Sequence, residues 1–157
     1  MVIKMNRLKR SVPILIADDD EEDRDMVRDA LKESRLVNNL HCVKDGEELM
    51  DYLRHRGSFV DQIKYPLPGL ILLDLNMPRM DGREALREIK TDPQLRQIPV
   101  VVLTTSQAEE DIFRTYELGV NSFITKPVSF EDLVKVIKTL GNYWFDIVEL
   151  PDPEHKL

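Results

Sequence analysis

Cysteine is almost missing from this chain: Cys42 stands alone, which excludes an internal disulfide and suits a reducing compartment. With Leu40 and Val43 beside it, Cys42 reads as a buried strand thiol. Basic residues are outnumbered, 22 Lys and Arg against 29 Asp and Glu. The resulting charge of -7 speaks against a nucleic-acid-binding surface, which needs clustered Lys and Arg to meet phosphates. No apolar run is long enough to span a membrane, and the basic leader Met1 to Arg10 has no apolar stretch before its next charges, so it is not a secretory signal. No Gly-x-Gly-x-x-Gly follows any candidate strand, which argues against a dinucleotide-binding oxidoreductase. The expectation is a cytoplasmic protein without a nucleic-acid or membrane partner.

What is present is the composition of one globular domain: 157 residues, 42% hydrophobic and 32% charged. The division expected is a basic leader over 1–11, one domain over 12–150 with an extended last helix or C-terminal segment, and a tail over 151–157. Within the domain, apolar strands alternate with amphipathic helices. Val12 to Ala17 is a strand that runs straight into Asp18-Asp19-Asp20, and Met26, Val27, Ala30 and Leu31 then recur at helical spacing. Asn39 to Val43 is a second strand, followed by a helix carrying Leu49, Met50 and Leu53 as far as Gly57. Ser58 to Pro68 has no period and reads as a long loop. Leu70 to Leu73 is a strand covered on both faces; Pro78 and Asp81-Gly82 turn the chain into the helix that begins near Arg83, with Asp81 as its cap. Ile98 to Leu103 and Asn121 to Thr125 are the last two strands, ending in Thr104 and Lys126. Ser129 to Asp132 offers a capping box for the final helix through Leu140. Five such units in strict alternation require a parallel sheet with right-handed crossovers. The simplest is the α/β flavodoxin-like doubly wound fold, a five-stranded parallel sheet of order 2-1-3-4-5.

In that fold the C-terminal strand ends meet, which gathers Asp18, Asp19, Asp74, Thr104 and Lys126 on one rim. Carboxylates so close repel, and a hard divalent cation relieves them; magnesium suits so few protein ligands. Lys126 can pair with Asp74 or with phosphate oxygens, and the Thr104 hydroxyl is a donor at the same place. The set suits phosphoryl transfer onto a carboxylate. The acids Glu21, Glu22 and Asp23 are accounted for by the start of a helix, where negative charge meets the positive end of its dipole. His41 and His55, in different elements with no second ligand nearby, read as solvated or locally paired rather than metal-bound.

Ala17-Asp18-Asp19, Asp74 to Gly82, Leu103-Thr104-Thr105 and Phe123 to Pro127 resemble the signature of receiver domains of two-component response regulators, over roughly Val12 to Leu140. Within that family the chain is most similar to the single-domain regulators of phytochrome-type histidine kinases, through Leu103 to Ser106, Ala108 to Ile112, the long loop before the third strand and the ending from Tyr143 to Pro151. The resemblance implies Asp74 as phosphoacceptor. It implies Asp19 as a direct magnesium ligand, Asp18 acting through water and Asn76 through its backbone carbonyl. Lys126 would hold the phosphoryl group, with a cis peptide before Pro127. Thr104 and Phe123 would form a switch pair: Thr104 moves toward the phosphoryl oxygens, Phe123 turns into the vacated space, and the surface of the fourth helix and fifth strand changes. Phe123 departs from the tyrosine of many receivers and lacks its hydroxyl. The implied function is that of a single-domain response regulator phosphorylated by a sensor histidine kinase of the phytochrome type, promoting only its own phosphorylation and dephosphorylation.

Two other functions fit parts of the pattern. Haloacid-dehalogenase-like phosphatases share the nucleophilic Asp, magnesium, Thr and Lys, but their Asp-x-Asp-x-Thr or Val fails here at Glu22, the fifth position of the run that begins at Asp18. A pure interaction module would show an incomplete acidic site. Beyond the last helix, Tyr143, Trp144, Phe145, Ile147, Val148 and Leu150 have no obvious core to enter, which points to a homodimer through the C-terminal segment; folding back over the sheet edge is the alternative.

Overall fold

A strand covered on both faces must be apolar at every position, because successive side chains point to opposite layers. The computed structural model, which describes residues 13–34, 39–105 and 108–141, has this pattern at its centre. Strands β1 (Ile14–Ala17), β3 (Leu70–Leu73) and β4 (Val100–Thr104) are buried throughout. Odd and even positions divide between two cores. Leu15, Ala17, Ile71, Leu73, Val100 and Val102 enter one; Ile14, Ile16, Leu70, Leu72, Val101 and Leu103 enter the other. Helices α2 (Gly46–Leu53) and α3 (Gly82–Thr91) close the first core through Leu49, Met50, Leu86 and Ile89. Helices α1 (Glu21–Glu33) and α5 (Phe130–Gly141) close the second through Val27, Leu31, Leu133 and Ile137. Each such side chain, once buried, contributes roughly 1.5–3 kcal/mol.

The edges of the sheet are β2 (Leu40–Val43) and β5 (Ser122–Thr125), and the parallel order is β2-β1-β3-β4-β5, as the alternation requires. Helix α4 (Glu109–Glu117) lies between β4 and β5 in the chain. Edge position changes one expectation: Cys42 is half-buried rather than buried, because β2 has a neighbour on one side only. Its Sγ lies 3.3 Å from Arg28 Nη2, and burial pushes the thiol above its usual pKa.

Helix α2 stops at Leu53, short of Gly57, where His55 adopts a left-handed conformation with φ 53°. The long loop after it is better organised than its sequence suggested. It holds a 3-10 turn at Gly57–Phe59, and the rings of Phe59 and Tyr65 stand 5.3 and 5.8 Å from the buried Tyr52 ring. The Tyr52 hydroxyl donates to the Pro66 carbonyl at 2.9 Å. His41 and His55 are each locally paired: His41 Nε2 is 2.8 Å from Asn39 Oδ1, and His55 Nε2 is 3.2 Å from the Tyr65 carbonyl. The leader over 1–11, the residues after 141 and Ser106 lie outside the described residues.

Two glycines let backbones touch at the site end of the sheet. The Gly46 amide donates to the Met80 carbonyl at 2.9 Å, and a Cβ on Gly46 would collide with that same carbonyl. A Cβ on Gly82 would likewise meet the Asp74 carbonyl and the Leu75 Cα. Alanine at position 46 gains up to about 1 kcal/mol of helix propensity but forces a backbone shift costing roughly 1–3 kcal/mol. Gly46→Ala should therefore lower the urea midpoint, and an unchanged or higher midpoint would contradict this packing.

Candidate functional site

Parallel register sets the site before any side chain is considered. Ala17 pairs with Leu73 and Leu73 with Val102, so the residues that follow, Asp18 and Asp74, leave the sheet side by side. The ladder continues one step past the strands: the Asp18 amide donates to Val43 O at 3.0 Å, Asp74 to Ala17 O at 2.9 Å, and Lys126 to Thr104 O at 2.8 Å. Three site residues are thus fixed by main-chain bonds.

The Asp74 side chain is buried, with only 6% of the residue exposed. Its Oδ1 accepts from Thr104 Oγ1 at 2.7 Å and from the Asn76 amide at 3.1 Å; its Oδ2 accepts from Lys126 Nζ at 3.1 Å. Thr104 is fully buried at the end of β4. Asp18 is also buried, and both its oxygens are engaged: Oδ1 by the Asp20 amide at 3.0 Å, Oδ2 by Lys126 Nζ at 2.6 Å. Asp19 is exposed. One carboxylate oxygen from each of Asp18, Asp19 and Asp74 lies within 4.8 Å of the others, a donor set that fits a hard divalent cation. Phe123 sits in β5 opposite Val102, half-buried against the first core, with its amide donating to Tyr116 Oη at 3.2 Å.

Sequence reasoning left Asp23 out of the site. Its Oδ2 accepts from Lys126 Nζ at 2.8 Å, so the ammonium faces three carboxylates. Helical side chains lean toward the N-terminus of their helix, and Asp23, in the first turn of α1, is thereby aimed back at the sheet edge. That rule was the available signal.

One cation shared among three anions leaves the lysine rich in partners and each acid poor. Burial alone would lower Lys126, but hydrogen bonds to Asp18 and Asp23 and the charges of Asp18 and Asp74 hold it above the ordinary lysine range. Burial pushes the Asp18 carboxyl up to about 6 despite its hydrogen bonds from Lys126 and the Asp20 amide. The two directions agree, because the ammonium stays charged for the whole cluster while one acid gives way.

The loop after Asp74 is pinned on both sides. Leu75 and Met77 are buried, Leu75 O accepts from the Gly82 amide at 2.9 Å, and Arg79, at φ 65°, reaches Glu47 at 3.2 Å. A left-handed arginine costs roughly 1–2 kcal/mol, offset by these anchors. Arg83 then bridges α3 to α4: its Nε and Nη2 donate to the two Asp111 oxygens, both at 2.6 Å. This fork-to-fork pair was also absent from the sequence-based expectations.

The response regulator receiver domain family matches residues 14–138, and the chain belongs to that family. Among curated proteins, it is 43% identical over 138 residues to the response regulator Rcp1 of Synechocystis sp., covering 88% of this chain and 92% of that one. The crystal structure of the phosphorylated cyanobacterial phytochrome response regulator RcpA superimposes with a TM-score of 0.84 at 41% identity, covering 91% of this chain and all of that one. The Mn(2+)-bound form of Rcp1 gives 0.82 at 42% identity, covering 90% of this chain and 99% of that one. The fold, the receiver family and the likeness to single-domain phytochrome response regulators thus agree with the sequence analysis. No helix among the described residues is long and apolar enough to cross a membrane. One implied detail is corrected: no cis peptide occurs among the described residues, so the bond before Pro127 is trans. An X-Pro bond prefers trans by only about 0.5–1 kcal/mol, so the sequence does not settle the isomer.

The Asp18 shift has a sign that can be measured. Its folded pKa of about 6 lies above the ordinary aspartate value of 3.8. The folded protein therefore takes up this proton more readily than the unfolded chain, and Asp18 contributes stability that grows as pH falls through about 6 toward 3.8 and is lost as pH rises again. In metal-free buffer the stability of wild type relative to Asp18→Asn should fall between pH 4 and pH 7, as read from urea titrations at each pH. A flat or rising difference would contradict the assignment.

Proposed function

We propose that the protein is a single-domain response regulator that takes a phosphoryl group on Asp74 from the phosphohistidine of a sensor histidine kinase, with magnesium as cofactor. The observation that carries this reading is the Asp74 carboxylate, buried at the end of β3, with Thr104 on one oxygen, Lys126 on the other, and Asp18 and Asp19 beside it. An Asp74 oxygen attacks phosphorus as the bond from phosphorus to the kinase imidazole breaks; the nitrogen keeps the electron pair and the product is an acyl phosphate. Asp19 and Asp74, with the Asn76 carbonyl, are the residues for direct metal contact, and Asp18, whose oxygens already serve Asp20 and Lys126, acts through water. The ion, when bound, offsets the charge on the phosphoryl oxygens.

Lys126 donates to a phosphoryl oxygen, and Thr104 does so in place of its bond to Asp74. Thr104 Oγ1 donates to Asp74 Oδ1 at 2.7 Å, which supports reading the movement of Thr104 toward the phosphoryl oxygens as a short one that exchanges one acceptor for another. Phe123, half-buried one strand away, completes the pair by turning, and the α4 and β5 surface responds. Phosphorylation biases that surface only through its differential contacts in the two states. The reactions promoted are the protein's own phosphorylation and dephosphorylation. The likeness to RcpA, a cyanobacterial phytochrome response regulator, supports a partner kinase of the phytochrome type, and a cytoplasmic location of the protein belongs to the same reading.

Incubation with acetyl phosphate and magnesium should give one labile phosphoryl adduct by intact mass, abolished by EDTA and by Asp74→Asn. Thr104→Ala should still be labelled while losing the change at α4 and β5 seen by amide NMR. A label on histidine or serine, or labelling indifferent to EDTA, would sink the reading.

We further infer self-association through the segment after residue 141, on the strength of its sequence: Tyr143, Trp144, Phe145, Ile147, Val148 and Leu150 are a denser apolar run than a lone domain commonly leaves exposed. Truncation after Leu140 should give a folded monomer by light scattering, with Trp144→Glu doing the same. A full-length protein that stays monomeric at high micromolar concentration, with and without beryllofluoride, would rule the dimer out.

A further inference from the structure

An ammonium group has three N–H donors, and those of Lys126 meet Asp18 at 2.6 Å, Asp23 at 2.8 Å and Asp74 at 3.1 Å. Two of these partners have other duties in the proposed reaction. Asp18 belongs to the acidic cluster that suits the ion, and Asp74 gives up a carboxylate oxygen to phosphorus. Asp23 lies outside that cluster and has no competing claim. Its backbone is fixed as well: the Asp23 amide donates to the Asp20 cap at 3.2 Å, and the Arg24 amide to the Asp20 carbonyl at 3.0 Å.

A lysine side chain carries about 2 kcal/mol of rotamer entropy, and without a fixed anchor its charge would spread over many positions. Asp23 supplies that anchor from a capped helix turn, and the same Nζ position lies 3.1 Å from Asp74 Oδ2. We propose that Asp23 is a positioning residue for phosphoryl transfer, holding the Lys126 ammonium against the reacting carboxylate while Asp18 and Asp74 are engaged by the ion and the phosphoryl group. This rests on the assignment of Asp74 as phosphoacceptor. The bland account of Asp23, a negative charge favoured at a helix N-terminus, would act equally whether or not Lys126 is present.

That difference sets the experiment. Beryllofluoride is titrated in the presence of magnesium against the full chain, Asp23→Asn, Asp23→Glu, Lys126→Ala and the double variant, with magnesium affinity measured separately on each. Asp23→Asn should weaken beryllofluoride binding about tenfold, the effect of one charge-assisted hydrogen bond, while magnesium affinity stays within about twofold. Asp23→Glu keeps the charge and should lie within about threefold of wild type, which also covers the case in which the asparagine variant folds poorly. In the Lys126→Ala background, Asp23→Asn should add nothing. Equal losses in both backgrounds, no loss in wild type, or tighter binding by Asp23→Asn would each overturn the proposal. Binding that survives Asp74→Asn overturns the phosphoacceptor assignment and the proposal with it, and that outcome is read without touching Asp23.

Discussion

Three carboxylates converge on one ammonium at the C-terminal end of the sheet, and this imbalance of charge governs much of what surrounds it. Like charges within a few ångströms are costly where water is scarce, and a lysine can offset only part of that cost. Burial, with a smaller contribution from the charge of Asp74, pushes the Asp18 carboxyl up to about 6, and the overlapping set Asp18, Asp19 and Asp74 offers oxygens that suit a divalent cation. A site of this kind is held ready by the same repulsion that makes it uncomfortable when unliganded. The fold supplies the stability that the site does without.

That stability comes from two apolar layers and from backbone register. Asp18, Asp74 and Lys126 each keep a main-chain hydrogen bond that extends the ladder past its last strand residue. Their backbones are therefore tied directly to the strands of the core. Side-chain freedom is what remains, and it is removed by donors from different elements: Thr104 from β4, the Asn76 amide from the loop, and Lys126 from beyond β5. Close backbone approach at Gly46 and Gly82 brings the Asp74 loop under the same control, since neither position has space for a Cβ.

Period and punctuation made the sheet order legible in the sequence. Leu70 to Leu73 could only be a strand with both faces covered, and Asp74 directly after it had to stand at the strand end. Asp18, Thr104 and Lys126 followed by the same logic, and the structure brings all four together. Asp23 was harder to see because its first-turn position already had an adequate explanation in the helix dipole. The Arg83 to Asp111 pair was invisible for a different reason: its partners are separated by a strand and two connections, and no periodicity links them. The edge placement of Cys42 and the early end of α2 were missed because local pattern does not report how many neighbours a strand has, or which residue will take a left-handed turn.

The helix caps are not distributed evenly. Asp20, Asp45 and Asp81 accept hydrogen bonds from the first turns of α1, α2 and α3, and Ser129 Oγ does the same for α5. Helix α4 begins after Ala108, which makes no side-chain cap bond, and a cap of that kind is worth about 1 kcal/mol. Its first turn is tied instead to α3 by the fork between Arg83 and Asp111, a contact between side chains rather than within one turn. Local opening of α4, in the sense reported by amide hydrogen exchange, is then opposed at its first turn by this fork in place of a cap. A change at either end of that fork alters how α4 is tied to α3 without removing the Thr104, Asn76 or Lys126 donor to the Asp74 carboxylate, so the α4 face and the carboxylate site are free to vary separately.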